Sequence, residues 1–161
     1  MKQLEMFELS QKLPEKATWT LSVDGASRKN PGPAGAGVCL NRGEEPVFCE
    51  GFFLGVQTNN EAEYSALLLG LAAAQDFIKP GEKLLIISDS ELLVRQVLGM
   101  YKVKKPELRV LYERVMVFFP LYKSSIKHVL REKNACADAL ANKGIDSKNG
   151  IPAYLRERTG L

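Results

Sequence analysis

The sequence predicts an α/β fold with a mixed sheet, and three observations predict it. Residues 17–24 alternate apolar Trp19, Leu21 and Val23 with polar Thr18, Thr20 and Ser22, the period of a half-buried strand. Residues 60–77 carry the strongest helical pattern, with Glu63, Leu67, Gly70, Leu71 and Ala74 spaced along one stripe. Residues 83–88 are apolar on both faces, which suits a central parallel strand.

The remaining elements follow in order. Residues 1–16 show no period, end in Pro14-Glu15-Lys16, and are expected to form an N-terminal extension. The stretch from Gly25 to Gly37 is rich in glycine and proline and reads as a turn between strands. Strands near 35–41 and 46–54 are joined as a hairpin by Asn41-Arg42-Gly43-Glu44-Glu45. Pro80-Gly81 closes the long helical unit. A short helix at 90–98 and a longer one at 106–119, limited by Pro120, come next. A strand at 124–130 leads to a helix at 134–146 with the stripe Ala137, Leu140, Ala141, Gly144 and Ile145. Residues 147–161 form a C-terminal tail to which the pattern assigns no element. Three strands in hairpin succession, then helix, strand, helices, strand and helix, require a sheet with both pairings.

Composition narrows the function classes. The 161 residues fit one domain, and 45% hydrophobic with 25% charged content is that of a globular protein. No apolar run approaches the ~20 residues of a membrane helix. No secretory h-region follows Met1, so the cytoplasm is the expected location. Cys39, Cys49 and Cys136 form neither a CxxC pair nor a Cys/His cluster; Cys39 and Cys49 could be neighbours across the hairpin, and buried free thiols are expected. The net charge of +3 hides an asymmetry. Residues 101–133 hold nine Lys or Arg against three Glu, a local charge of +6, and the remainder carries −3. A basic segment beside acidic sites suits a polyanion, although a solvated helix face would show the same charge.

The acids carry the chemistry. Asp24 ends the first strand, Glu63 lies in the first turn of the long helix, Asp89 ends the run Leu84-Leu85-Ile86-Ile87-Ser88, and Asp138 lies in the first turns of the helix opened by Asn134. Each has a local alternative. Asp24-Gly25 could be a turn, Glu63 the N3 residue of a capping box with Asn60 as cap, Asp89 a helix N-cap, and Asp138 a favourable charge at a helix start. Yet this topology can bring all four ends to one edge, where ligands of α/β sheets gather. Four carboxylates in one cleft resist joint ionisation unless divalent cations neutralise them. Hard oxygen donors suit Mg²⁺ or Mn²⁺. With one histidine in the chain, no Ser-His-Asp or Cys-His arrangement competes.

Four motifs then coincide: Val23-Asp24-Gly25-Ala26-Ser27 with Asn30-Pro31-Gly32-Pro33; Thr58-Asn59-Asn60-Glu61-Ala62-Glu63-Tyr64; Ser88-Asp89-Ser90; and Asn134-Ala135-Cys136-Ala137-Asp138-Ala139-Leu140-Ala141. In order and spacing the sequence resembles type I ribonuclease H over residues 17–146. The resemblance implies a ribonuclease-H-like catalytic domain over that span. Its sheet would have five strands, strands one to three antiparallel and strands one, four and five parallel, with helices on both faces. It implies hydrolysis of the RNA strand of RNA–DNA hybrids, leaving 5′-phosphate and 3′-hydroxyl ends. It implies two Mg²⁺ ions, with Mn²⁺ as a substitute, held by Asp24, Glu63, Asp89 and Asp138. By the same resemblance Asp24 would bridge both ions, Glu63 and Asp89 would complete one shell, and Asp138 the other. Gly25, Asn30, Asn59 and Asn60 would contact substrate, with Asn59 the firmest of these.

Two departures from the family pattern bear on the substrate. The loop before the fourth acid is short, Leu130-Arg131-Glu132-Lys133, and His128 falls in the preceding strand as a structural residue. The phosphate-facing role passes to Arg131. A short basic connector, residues 101–106, stands where some members carry a helical handle, and its lysines would grip DNA phosphates. The hybrid is the expected partner, with no membrane, no obligate protein partner and a monomeric state. The alternatives are a hybrid-binding module that does not cut and a DNA-directed nuclease on the same fold. A nucleotide-binding protein is more distant, since residues 25–37 match no phosphate-binding loop.

Overall fold

The computed structural model describes residues 19–161; the expected extension over 1–16 lies outside the described residues. Five strands form one sheet in the order β3-β2-β1-β4-β5. They are β1 (Trp19–Ser27), β2 (Gly32–Arg42), β3 (Glu45–Gln57), β4 (Lys83–Ser88) and β5 (Lys123–His128). β1, β2 and β3 pair antiparallel, while β4 pairs parallel with both β1 and β5. The mixed sheet is the expected one. Among the described residues five α-helices accompany it: α1 (Asn59–Ala74), α2 (Glu91–Val97), α3 (Pro106–Phe118), α4 (Ala135–Ser147) and α5 (Ala153–Thr159). Among the described residues no helix is long and apolar enough to cross a membrane.

The glycine-rich stretch 25–37 departs from its expected role as a turn. β1 continues to Ser27 and β2 begins at Gly32, so most of the stretch is paired strand. Its glycines serve close packing. A Cβ at Gly25 would collide with the backbone of Ala62 and Glu63 on α1, and one at Gly37 with the Ala137 carbonyl on α4. Two helices thereby sit directly on the sheet backbone, one on each face.

α1 is the centre of the core. Every residue from Ala62 to Ala74 is buried, so the expected single stripe is a helix covered on all sides. The sheet lies beneath it, with Leu21 and Val23 against Gly70, and α3 and α5 pack against it as well. A helix without a solvated face is stabilised by burial of each leucine, at roughly 1.5–3 kcal/mol apiece. Its first turn is fixed by a capping box: Thr58 Oγ1 accepts from Glu61 N at 3.2 Å, and Glu61 Oε1 accepts from Thr58 N at 3.0 Å. Thr58→Ala removes one half of that box and is expected to cost about 1 kcal/mol, read as a lower urea midpoint at unchanged slope.

The C-terminal segment carries a helix that the sequence pattern did not assign. α5 buries Leu155 completely in the core. Arg158 joins it to α1, donating to the Ala72 carbonyl at 3.1 Å and to Asp76 Oδ1 at 2.8 Å.

Candidate active site

The cleft forms beyond the carboxyl ends of the parallel strands, where the chain leaves β1 and β4. Asp24 lies near the end of β1 and Asp89 directly after β4. Glu63 enters from the first turns of α1, and Asp138 from the first turn of α4. The four expected acids line one cleft of about 480 Å³ together with Gly25, Ser27, Asn59, Asn60, Ser90 and Arg131.

The local alternatives for three of these acids fail, while Asp138 does lie in the first turn of its helix, where its charge is favourable. The capping box of α1 is Thr58 with Glu61, which frees Glu63 and Asn60 from it. Ser90, not Asp89, caps α2, its Oγ accepting from Leu93 N at 3.2 Å. Asp24 is paired within β1, opposite Gly37, and is no turn residue.

The acids are held tightly. Ligand oxygens of Asp24, Glu63 and Asp89 all lie within 4.8 Å of one another. Asp24 is 6% exposed and Glu63 8%. Glu63 Oε1 accepts the backbone N–H of Gly25, a contact made possible by the missing Cβ at that position. α4 is anchored to the strand that bears Asp24: Asn134 Nδ2 donates to the Val23 carbonyl at 2.9 Å. That bond fixes Asp138, four residues on, relative to Asp24.

The electrostatics follow from crowding. Burial first, then the charges of Glu63 and Asp89, push Asp24 from the ordinary carboxylate range up to about 10. Burial also pushes Glu63 up, to about 7, against the opposing Gly25 N–H. The cluster without a cation therefore holds protons at neutral pH. An all-oxygen donor set of this charge density fits a hard divalent cation, which would displace those protons. Metal affinity is expected to rise with pH up to about 10, most steeply below about 7, where both Asp24 and Glu63 carry protons to be displaced. Calorimetric titration with Mg²⁺ in buffers of different ionisation heat should register proton release.

The expected substrate residues divide into two groups. Asn59 and Asn60 line the cleft, and Asn59 Oδ1 accepts from Ser27 N at 3.1 Å. Asn30 stands behind them, its Oδ1 accepting the Asn59 backbone N–H at 3.0 Å. The Gly25 N–H is taken by Glu63. Arg131 lies on the exposed rim, with Nη2 3.4 Å from Asp138 Oδ1. His128 is the last residue of β5, as expected. The basic connector is tied to the core through Gln96, which accepts from the buried Tyr64 hydroxyl at 2.6 Å and donates to the Lys102 carbonyl at 3.3 Å.

Sequence reasoning missed Ser27 and Ser90, which line the cleft, and Thr58, which positions Glu63. The pattern Thr58-x-x-Glu61 ahead of an apolar run signals that cap. Nothing comparable singles out Ser27 or Ser90, because a serine at a strand end or before a helix is common without any ligand.

Comparison with known proteins adds a family. A family model described as reverse transcriptase-like matches residues 22–144. A ribonuclease HI of Halobacterium salinarum is 41% identical over 125 residues, which is 76% of this chain. The chain spans 62% of that relative's length. The crystal structure of RNase H1 from the same organism superposes with a TM-score of 0.75 at 39% identity, covering 80% of this chain and 98% of that one. LC11-RNase H1 in complex with an RNA/DNA hybrid gives a TM-score of 0.74 at 35% identity, covering 80% and 97%.

Proposed function

The chain belongs to the type I ribonuclease H family, and we propose that it hydrolyses the RNA strand of RNA–DNA hybrids with divalent cations at Asp24, Glu63, Asp89 and Asp138. The observation that carries this reading is the convergence of four acids, two of them buried, beside a row of polar groups suited to a ribose edge. Mg²⁺ is the proposed cation, with Mn²⁺ able to substitute. Bound there, the ions supply charge stabilisation at the scissile phosphate and a lowered pKa for the attacking water.

The chain's own residues do the rest. Asp24 and Glu63 give up their protons when the cleft is loaded and then stay ionised. The Gly25 N–H holds Glu63 in one orientation, so no reorganisation is needed when substrate arrives. Asn59 has its oxygen engaged by Ser27, which leaves its amide N–H to donate toward a ribose 2′-hydroxyl. Asn60 contributes a second polar contact, and Asn30 positions Asn59 from behind. Cleavage of the P–O3′ bond leaves a 5′-phosphate and a 3′-hydroxyl. All the acids come from one chain, so a monomer suffices.

Arg131 is proposed to hold a phosphate at the rim. Its pairing with Asp138 is solvent-exposed and adds at most about 1 kcal/mol to stability. Arg131→Ala should leave the melting temperature within a degree or two, weaken hybrid binding, and reduce the salt slope by about 1. Binding isotherms at several salt concentrations measure both.

The test of the function compares substrates. With Mg²⁺, the protein should cut the RNA strand of a labelled hybrid and leave duplex DNA of the same sequence intact. Equal cutting of duplex DNA would show a DNA-directed nuclease, and salt-sensitive binding without cutting would show a hybrid-binding module.

A further inference from the structure

The three cysteines, far apart in sequence, meet on the α4 side of the sheet. Cys39 on β2 stands opposite Cys49 on β3 in the strand register. Their sulfurs are 2.6 Å apart. Cys136, in the first turn of α4, brings its sulfur to 3.5 Å from that of Cys39. Cys39 is thus the shared neighbour of the other two. All three are free thiols, graded in access: Cys39 buried, Cys49 half-buried and Cys136 exposed. The exposed Cys136 departs from the expectation of buried thiols throughout.

The geometry favours one product. Opposed residues of an antiparallel pair hold their Cα atoms about 4.5–5.5 Å apart, within the range a disulfide spans. A Cys39–Cys49 bond therefore needs no backbone movement. Cys136 is the most exposed of the three, and Cys49 is partly exposed at the edge of a surface cavity. Cys39 is 5% exposed, so peroxide from solvent does not reach its sulfur directly, whereas the Cys136 sulfur lies 3.5 Å away.

We propose that this cluster is a peroxide-responsive modification site, in which Cys136 takes the oxidising equivalent and hands it through Cys39 to leave a Cys39–Cys49 disulfide. The Cys136 sulfur attacks one peroxide oxygen. The O–O bond breaks, and Cys136 becomes a sulfenic acid as the first water forms. The Cys39 sulfur then attacks Cys136, and the hydroxyl leaves with the Cys39 proton as a second water. Finally the Cys49 sulfur attacks Cys39, which forms the cross-strand disulfide and returns Cys136 as a thiol carrying the Cys49 proton. In balance, two thiols and one hydrogen peroxide give one disulfide and two waters, and both electrons pass to the peroxide. The proposal is separate from the hydrolytic reading and is tested without nucleic acid.

The full chain, reduced and freed of reductant, is treated with one equivalent of hydrogen peroxide and quenched with N-ethylmaleimide over time. Non-reducing peptide mapping by mass spectrometry then follows each thiol. The three alkylatable cysteines should fall to one, that one being Cys136. In the unaltered protein a Cys39–Cys136 link should rise first and then give way to Cys39–Cys49. Cys49→Ser should stop at the Cys39–Cys136 link, and Cys136→Ser should slow thiol loss about tenfold or more. Formation of Cys39–Cys49 at an unchanged rate in Cys136→Ser would overturn the relay. So would over-oxidation of Cys136 while Cys39 and Cys49 remain alkylatable. The wild-type time course decides the order of links even if a variant fails to fold.

Discussion

Asp24→Asn abolishes hybrid cleavage and at the same time raises the stability of the metal-free protein. The first effect follows from the place of Asp24, whose carboxylate is central to the cluster and in reach of Glu63, Asp89 and Asp138. Removing its charge should lower the cleavage rate by at least about 10³-fold. The second effect follows from linkage. The folded-state value of about 10 lies far above the ordinary 3.8. Between these values the folded state holds a proton that the unfolded chain has lost. The folded protein is therefore stable relative to the unfolded chain at low pH and loses stability as pH rises from about 4 towards about 10. At pH 7 the loss spans some three pH units, which sets an upper limit of about 4 kcal/mol. Asparagine carries no charge at any pH and escapes this loss. The variant should melt higher, by up to about 10 °C at pH 7, and its stability should vary less between pH 5 and 9. Thermal melts in EDTA across that range measure it, and a variant less stable than wild type would contradict the crowded-carboxylate account.

Gly25→Ala is expected to lower activity by a different route and to a smaller extent. The new Cβ would collide with the Ala62 carbonyl and the Glu63 N–H, which are backbone and cannot swing aside. Either α1 rises from the sheet or β1 bends, and in both cases Glu63 leaves the Gly25 N–H. Overpacking at such a contact should destabilise by about 3 kcal/mol or more. A displacement of about 1 Å in Glu63 should reduce the turnover of the surviving folded protein about 100-fold. Gly43→Ala is the control. Gly43 has φ 59° at the β2–β3 turn, with nothing near its absent Cβ. It should cost about 1 kcal/mol through backbone strain alone and leave turnover unchanged. Urea unfolding beside single-turnover cleavage separates the two variants.

The acids and the sheet were legible because their signals are local and repeated. Val23-Asp24, Asn60 to Glu63 and Ser88-Asp89 each join a strand or helix pattern to a carboxylate at its end, and the alternation of strands and helices leaves few ways to arrange those ends. Residues 25–37 were misread because glycine and proline mark turns locally, whereas here glycine at 25 and 37 answers to helices that arrive from residues 62 and 137. Such a demand for empty space is written at the partner position and cannot be seen at the glycine. The all-round burial of α1 was hidden for a like reason, since α3 and α5 supply the cover on its outer side. The role of Asn134 shows the same limit. It reads as a helix cap, yet its amide makes a bond to Val23, 111 residues away. The gathering of Cys39, Cys49 and Cys136 combines both cases: the hairpin pair was visible from its spacing, and the third thiol required the docking of α4.

The central claim is that the cluster of Asp24, Glu63, Asp89 and Asp138 is a cation-dependent site that cuts RNA paired to DNA. Its most direct test is cleavage of an RNA-labelled hybrid by protein stripped with EDTA, as Mg²⁺ is titrated back. The expected result is no cleavage without Mg²⁺, recovery on its addition, product RNA ends bearing 5′-phosphate, and no recovery in Asp24→Asn. Cleavage that persists in EDTA, or an Asp24→Asn protein that recovers as wild type does, would contradict it.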